Sequence, residues 1–144
     1  YQALGQWRWA GHTHAQLISL AAVTGRAGWA WHSLRIFADL WVAENGLHFN
    51  VDLKQTGSSF FVRVGDGTGT APPFTMESNC GVTMGICDML VQGWGSRLRV
   101  FPAVPDHWRD VSFRDLRTEG SFRVSAAREN GRTARVSIPP GFEP

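Results

Sequence analysis

The hydrophobic period changes part-way along this chain, and that change limits the folds open to it. Up to about residue 94 the apolar residues recur at helical spacing, and after Gly95 they alternate. In residues 14–24, Leu17, Ile18, Ala21 and Ala22 share one helical face, and Gly25 punctuates the run. Ala30, Leu34, Phe37, Ala38 and Trp41 form a second stripe, expected to stop in a left-handed turn at Asn45-Gly46. A short turn between the two predicts an antiparallel helical hairpin. A third helix is expected over about 79–92. Its apolar positions (Val82, Met84, Ile86, Cys87, Met89, Leu90, Val91) wrap most of the circumference, which predicts burial. Residues 47–76, with "GSSFF" and "GDGTGTAPP", read as loop and short-strand material.

Beyond Gly95, "RLRVF", "DVSFRDL", "SFRVSAA" and "RTARVSI" predict about four strands. Asn130-Gly131 between the last two is a strong hairpin signal. The fold class expected is therefore α+β, with a helical unit over 1–94 and a small antiparallel β domain over 95–144.

Composition narrows the function classes. At 144 residues and 43% hydrophobic content the chain is globular in character, not disordered. No apolar run approaches the length of a membrane span, so it reads as soluble with no membrane partner. It opens on Tyr1, straight into structured-looking sequence, which suggests a piece of a longer protein. Residues 97–144 carry nine arginines, but acids interleave with them, as in Arg114-Asp115 and Arg128-Glu129. That mixing argues against one strong positive field and against a nucleic-acid partner. Cys80 and Cys87 lie seven apart on the expected helix, about 10 Å along its axis, too far for a disulfide and more in keeping with small core residues.

Few residues carry chemistry. Glu77 precedes the third apolar helix, where the dipole and free backbone N–H groups favour a carboxylate. An ionised, positioned carboxylate suits a general base; a capping or solvated loop acid is the plain alternative. His12 and His14 in "GHTHA" diverge on a helix, and no partner with metal-site spacing lies nearby, so no metal and no cofactor is expected. The glycine-rich 65–70 stretch matches no phosphate loop, and no Gly-x-Ser-x-Gly elbow occurs. Seven tryptophans are many for this length. Trp41 sits on an apolar stripe and reads as core, whereas Trp7, Trp9, Trp29 and Trp31 near helix starts are candidates to line a cavity. Asn50 and Asp52 in "HFNVD" are candidates to orient hydroxyl groups, or to form an Asx turn.

The motifs taken in order resemble the C-terminal part of glycoside hydrolase family 95, the inverting α-L-fucosidases and α-L-galactosidases. The resemblance rests on "PPFTMESNCG" (72–81), "VFPAVPDHW" (100–108) and "LRTEGSF" (116–122), and is good over about 71–128. Upstream, "VTGRAGWAWHSLRIFADLWVAENGLHFN" is more loosely similar to the paired helices before the family's acidic motif. The resemblance implies that residues 1–94 are the last helices of an (α/α)6 barrel. It places Glu77 at the family's general base, with Asn79, Asn50, Asp52 and Trp31 as substrate-binding candidates and a carbohydrate as partner. The general acid would then lie upstream, and the fragment alone would be inactive. Secretion or a periplasmic site is typical of such enzymes. The family's Asp is Glu here, one methylene longer, and Ser78 and Cys80 replace the commoner Gly and Phe. The second reading is a non-catalytic carbohydrate-binding or scaffold protein on a glycosidase-like fold.

Overall fold

The computed structural model describes residues 9–54, 56 and 74–139. Trp7 and the glycine-rich stretch lie outside the described residues. The fold is mixed α+β. Helices α1 (Gly11–Val23), α2 (Ala27–Leu40) and α3 (Met76–Leu90) precede a two-stranded ladder, β1 (Val91–Gln92) and β2 (Arg99–Val100). A three-stranded sheet follows, built from β3 (Val111–Arg117), β4 (Arg123–Glu129) and β5 (Arg132–Ser137) in that order, all antiparallel.

The turn out of α1 explains the helical hairpin. Gly25 takes φ +70°, so the Arg26 N–H reaches back to the Ala21 carbonyl (2.8 Å) and the Gly25 N–H to that of Ala22 (3.0 Å). That pair of bonds is a Schellman stop. The Thr24 hydroxyl adds a bond to the Leu20 carbonyl. The chain then turns back as α2, antiparallel to α1.

Helix α3 packs on α1 in the opposite sense. Its contacts climb both helices together: Ser78 meets His12, Gly81 faces Ala15, Gly85 faces Ile18 and Ser19, and Gln92 donates to the Ala22 carbonyl (3.0 Å). The Ser19 hydroxyl donates to the Asp88 carboxylate along the same seam. Helices α1 and α3 are therefore parallel and start at the same end of the molecule. Two glycines spaced by four make this close approach feasible. A Cβ on Gly85 would stand 2.6 Å from Ile18 Cγ2 and 3.2 Å from the Ser19 backbone nitrogen, and backbone cannot rotate away. Gly85→Ala is expected to destabilise the protein by about 2 kcal/mol by forcing the helices apart, despite a gain of up to about 1 kcal/mol in helix propensity. Denaturant unfolding of the variant measures this; unchanged or raised stability would disprove the close seam.

Ile18, Ala21, Ala22, Ala30, Met89 and Ala103 form the buried core where the three helices meet the segment after β2. Ala15, Phe37 and Trp41 form a second cluster, as the apolar stripe of α2 leads one to expect. Phe101, Val104 and Ala126 seat the sheet, with Val111 and Phe113 packed against them. The Asn130-Gly131 turn has φ +51° and +79°, the primed geometry that matches strand twist. It is anchored by the Asn130 N–H to Asp110 Oδ1 (2.9 Å).

Five expectations need correction. Helix α2 ends at Leu40, not at Asn45-Gly46, because the chain leaves it to make a bridge between Val42 and His48. Helix α3 begins three residues early, so Glu77 lies inside its first turn and not before it. One face of α3 is open: Met76 is 54% and Met84 59% exposed, so an apolar circumference did not mean burial on all sides in this chain. Cys80 shares that open face and Cys87 is half-buried, so neither is a core residue. Lastly, "RLRVF" yields only a two-residue strand, because Phe101 turns to φ +55°.

Candidate functional site

Glu77 is exposed in the first turn of α3. Thr75 occupies the N-cap with extended backbone but makes no side-chain cap bond. Its hydroxyl is instead bonded to His48 Nδ1 (2.5 Å), and its N–H donates to the His48 carbonyl (3.3 Å). Glu77 therefore sits near first-turn amides that the N-cap side chain leaves uncapped, at the positive end of the helix.

His48 is the anchor of this end. Its ring is fully buried, stacked on Phe37 (centroids 5.2 Å, 11°) and beside Trp41 (6.3 Å). The backbone of His48 is fixed as well: its N–H donates to Asn79 Oδ1 (2.9 Å), while Asn79 Nδ2 donates to the Gly46 carbonyl (3.0 Å). Helix α3 is thus sewn to the 44–49 loop by Asn79 on one side and Thr75 on the other, with Glu77 between them. Burial lowers the His48 pKa below its ordinary value. The Thr75 hydrogen bond opposes that, His12 lowers it further, and Glu77 pulls it back up. Both His12 and Glu77 are therefore within electrostatic reach of His48.

His12 comes from the first turn of the parallel helix α1. Its Nε2 accepts from the Gln16 amide (3.0 Å), which leaves the proton on Nδ1, facing the Ser78 hydroxyl at 3.4 Å. Ser78 therefore reaches His12 and Asn79 holds the His48 backbone where α1 and α3 both begin, with Glu77 exposed beside them.

The remaining sequence candidates are placed differently. Asp52 is fully buried, and its carboxylate accepts from the Lys54 N–H (3.1 Å), the Thr56 N–H (2.9 Å) and the Thr56 hydroxyl (2.8 Å). That is an Asx-type anchor inside its own loop. Asn50 adjoins the bridge between Phe49 and Phe74, and its amide oxygen is buried with no hydrogen-bond partner among the described residues. Trp31 is not brought to this end. It lies in the first turns of α2, against His107 (4.9 Å) and Trp108 (5.5 Å), where α2 meets the far end of α3. Residue His48 carried no signal in the sequence, since its role needs the fold to bring Phe37, Trp41 and Thr75 around it.

His14 shows what burial does to a histidine on the other side of α1. Desolvation, with a smaller push from His32, lowers its pKa from 6.5 to about 4. Above pH 6.5 folded and unfolded chains are both neutral at this group. Between 6.5 and 4 only the unfolded chain takes up the proton, so stability falls as the pH is lowered, by on the order of 3 kcal/mol from this residue. His14→Phe, which keeps the ring against Trp9 (5.3 Å), is expected to flatten that loss in unfolding curves run at pH 7 and pH 4. Equal acid sensitivity in both proteins would remove the assignment.

Compared with known proteins, the chain matches no protein-family model and no curated protein at a significant level.

Proposed function

We propose that this chain is the C-terminal portion of a glycoside hydrolase of the family 95 type, cutting terminal α-L-fucosyl or related bonds with inversion, with Glu77 as general base. One observation carries the reading. Glu77 is exposed, inside the "PPFTMESNCG" motif, at the end where two parallel helices both begin. A ring of helical hairpins contributes one inner and one outer helix per hairpin, so its inner helices run parallel to one another and its outer helices antiparallel to them. Helices α1 and α3 as inner neighbours, with antiparallel α2 outside, make one arc of an (α/α)6 barrel. The inner helices would then present their N-terminal ends, and Glu77 and His12 with them, to a common mouth.

In an inverting reaction the base takes a proton from water as the water oxygen attacks the anomeric carbon. A second carboxyl group protonates the departing glycosidic oxygen from the other side. Glu77 supplies the first half of that pair. In this reading the acid and the rest of the pocket wall belong to preceding helices, which close over a Glu77 that is open to solvent in this chain alone. The isolated 144-residue chain is accordingly expected to hydrolyse nothing. Asn79 and Asp52 serve the site by fixing the loop and the first turn of α3, and Asn50, whose buried amide oxygen has no partner among the described residues, would reach a sugar hydroxyl only if that loop opened.

The deciding measurement is the anomer first released from an aryl α-L-fucoside or α-L-galactoside by the longer protein, followed by proton NMR. The β anomer is expected. First release of the α anomer, or no hydrolysis of either substrate, overturns the proposal, and the latter would favour a non-catalytic carbohydrate-binding protein.

A further inference from the structure

The β end of the molecule holds a cavity that the proposed catalytic end does not use. It lies between the turn leaving α3 and the turn joining β3 to β4, and encloses about 430 Å³, a volume in the range of small-molecule sites. Gly93, in its wall, follows the C-terminal end of α3, whereas Glu77 is in that helix's first turn. At 1.5 Å per residue the two are separated by about 20 Å.

The walls combine an unburied ring, balanced charge and backbone strain. Phe122 is 50% exposed although the next apolar residues of its run, Val124 and Ala126, are buried under the sheet. Its ring lies over Gly120, where a Cβ would come within 2.9 Å of it, so the turn is built to hold the ring at the cavity wall. Leu98 and Ile138 extend the apolar surface. Arg97 and Glu119 contribute one charge of each sign, and Ser96 and Thr118 contribute hydroxyl groups. Both bordering turns hold left-handed residues that are not glycine, Ser96 (φ +56°) and Ser121 (φ +60°). The left-handed region is disfavoured for such residues, a strain that persists where a surface must keep one shape. Beside the cavity in sequence, Trp94 is 46% exposed yet fixed: its Nε1–H donates to Gln92 Oε1 (3.2 Å) and the Arg99 guanidinium lies 4.1 Å from its ring centroid.

We propose that this cavity is a second binding site, for a neutral carbohydrate, with Phe122 against the C–H face of a sugar ring and Arg97 and Glu119 reaching its hydroxyl groups. The cancelling charges disfavour a phosphate or a carboxylate. An acyl chain is disfavoured because it would bury Arg97, Glu119 and the two hydroxyls without partners. A sugar satisfies both conditions, offering an apolar face to the ring and hydroxyl donors and acceptors to the rim. The site depends on none of the groups assigned to hydrolysis.

The test is a titration of the isotope-labelled full protein with methyl α-L-fucoside, methyl β-D-galactoside and methyl β-D-glucoside, read by amide shifts at Gly93, Gly95 and Gly120. At least one glycoside is expected to move all three amides with a dissociation constant on the order of 1 mM. Phe122→Ala is expected to weaken that binding by about tenfold or more. Phe122→Trp should retain it, and Arg97→Ala, an exposed substitution that spares the apolar wall, should weaken it too. Binding should persist in Glu77→Gln, which separates this site from the catalytic reading: loss of hydrolysis with retained shifts leaves the cavity proposal standing. Silence of these amides with all three glycosides overturns it. So does a response to inorganic phosphate or to a short alkyl alcohol with none to the sugars, and so does wild-type affinity in Phe122→Ala.

Discussion

Glu77→Gln in the longer protein is expected to lower kcat by 10²–10⁴-fold, with KM nearly unchanged. Glutamine keeps the length and shape of the side chain and removes only its ability to accept a proton. Glu77 is exposed, and the bonds that set the first turn of α3 come from Thr75 and Asn79, so the fold does not depend on it. The stability change should stay within the roughly 0.3–1 kcal/mol associated with a negative charge at a helix start. A large loss of kcat with a small change in unfolding free energy is the combined signature of a base. Glu77→Asp tests placement separately. It restores the carboxylate but withdraws it by one methylene, and a displacement of about 1 Å can cost as much as 100-fold. A fall of less than tenfold in Glu77→Gln would mean that the carboxylate is only a solvated first-turn acid.

The elements were legible in the sequence where local chemistry decides them. The Gly25 stop, the antiparallel hairpin, the Asn130-Gly131 turn and the strands from residue 111 onward each follow from a short pattern that needs no distant partner. Element ends were less legible, because tertiary bonds set them. Helix α2 stops short of the Asn45-Gly46 signal since His48 must fold back to bridge Val42. The open face of α3 is hidden from the sequence for a related reason: hydropathy shows that a face is apolar and cannot show what covers it. The candidate site was legible only in part. The Pro72–Gly81 segment marked Glu77, but nothing local marked His48, whose neighbours Phe37, Trp41 and Thr75 are scattered along the chain. Trp31 failed as a companion to Glu77 because a helix start on an antiparallel partner falls at the opposite end of the bundle.

Gly11→Ala carries the largest expected effect on stability. Gly11 is the first residue of α1, and the position its Cβ would take falls on the His48 imidazole, touching Nε2, with Cδ2 at 2.6 Å and Trp41 Cβ at 3.0 Å. A surface side chain would swing aside. This ring is buried, stacked on Phe37 and held at Nδ1 by Thr75, so it has nowhere to go without breaking those contacts. Forcing a methyl group into such packing costs about 3 kcal/mol, well above the gain of about 1 kcal/mol that alanine brings to a helix. The damage should also travel to the site. Displacing His48 loosens the N-cap Thr75 and the Asn79 clamp, and so the first turn that carries Glu77. The longer protein with Gly11→Ala should therefore unfold at lower denaturant and also lose kcat at temperatures where it is still folded. Gly25→Ala is the control. It lies at the other end of α1 with φ +70° and nothing within 4 Å of its Cβ position, so it should lose stability through backbone strain alone and keep kcat. If both variants lose stability and neither loses activity, the link from α1 through His48 to Glu77 is absent, and the two parallel helices do not share a working end.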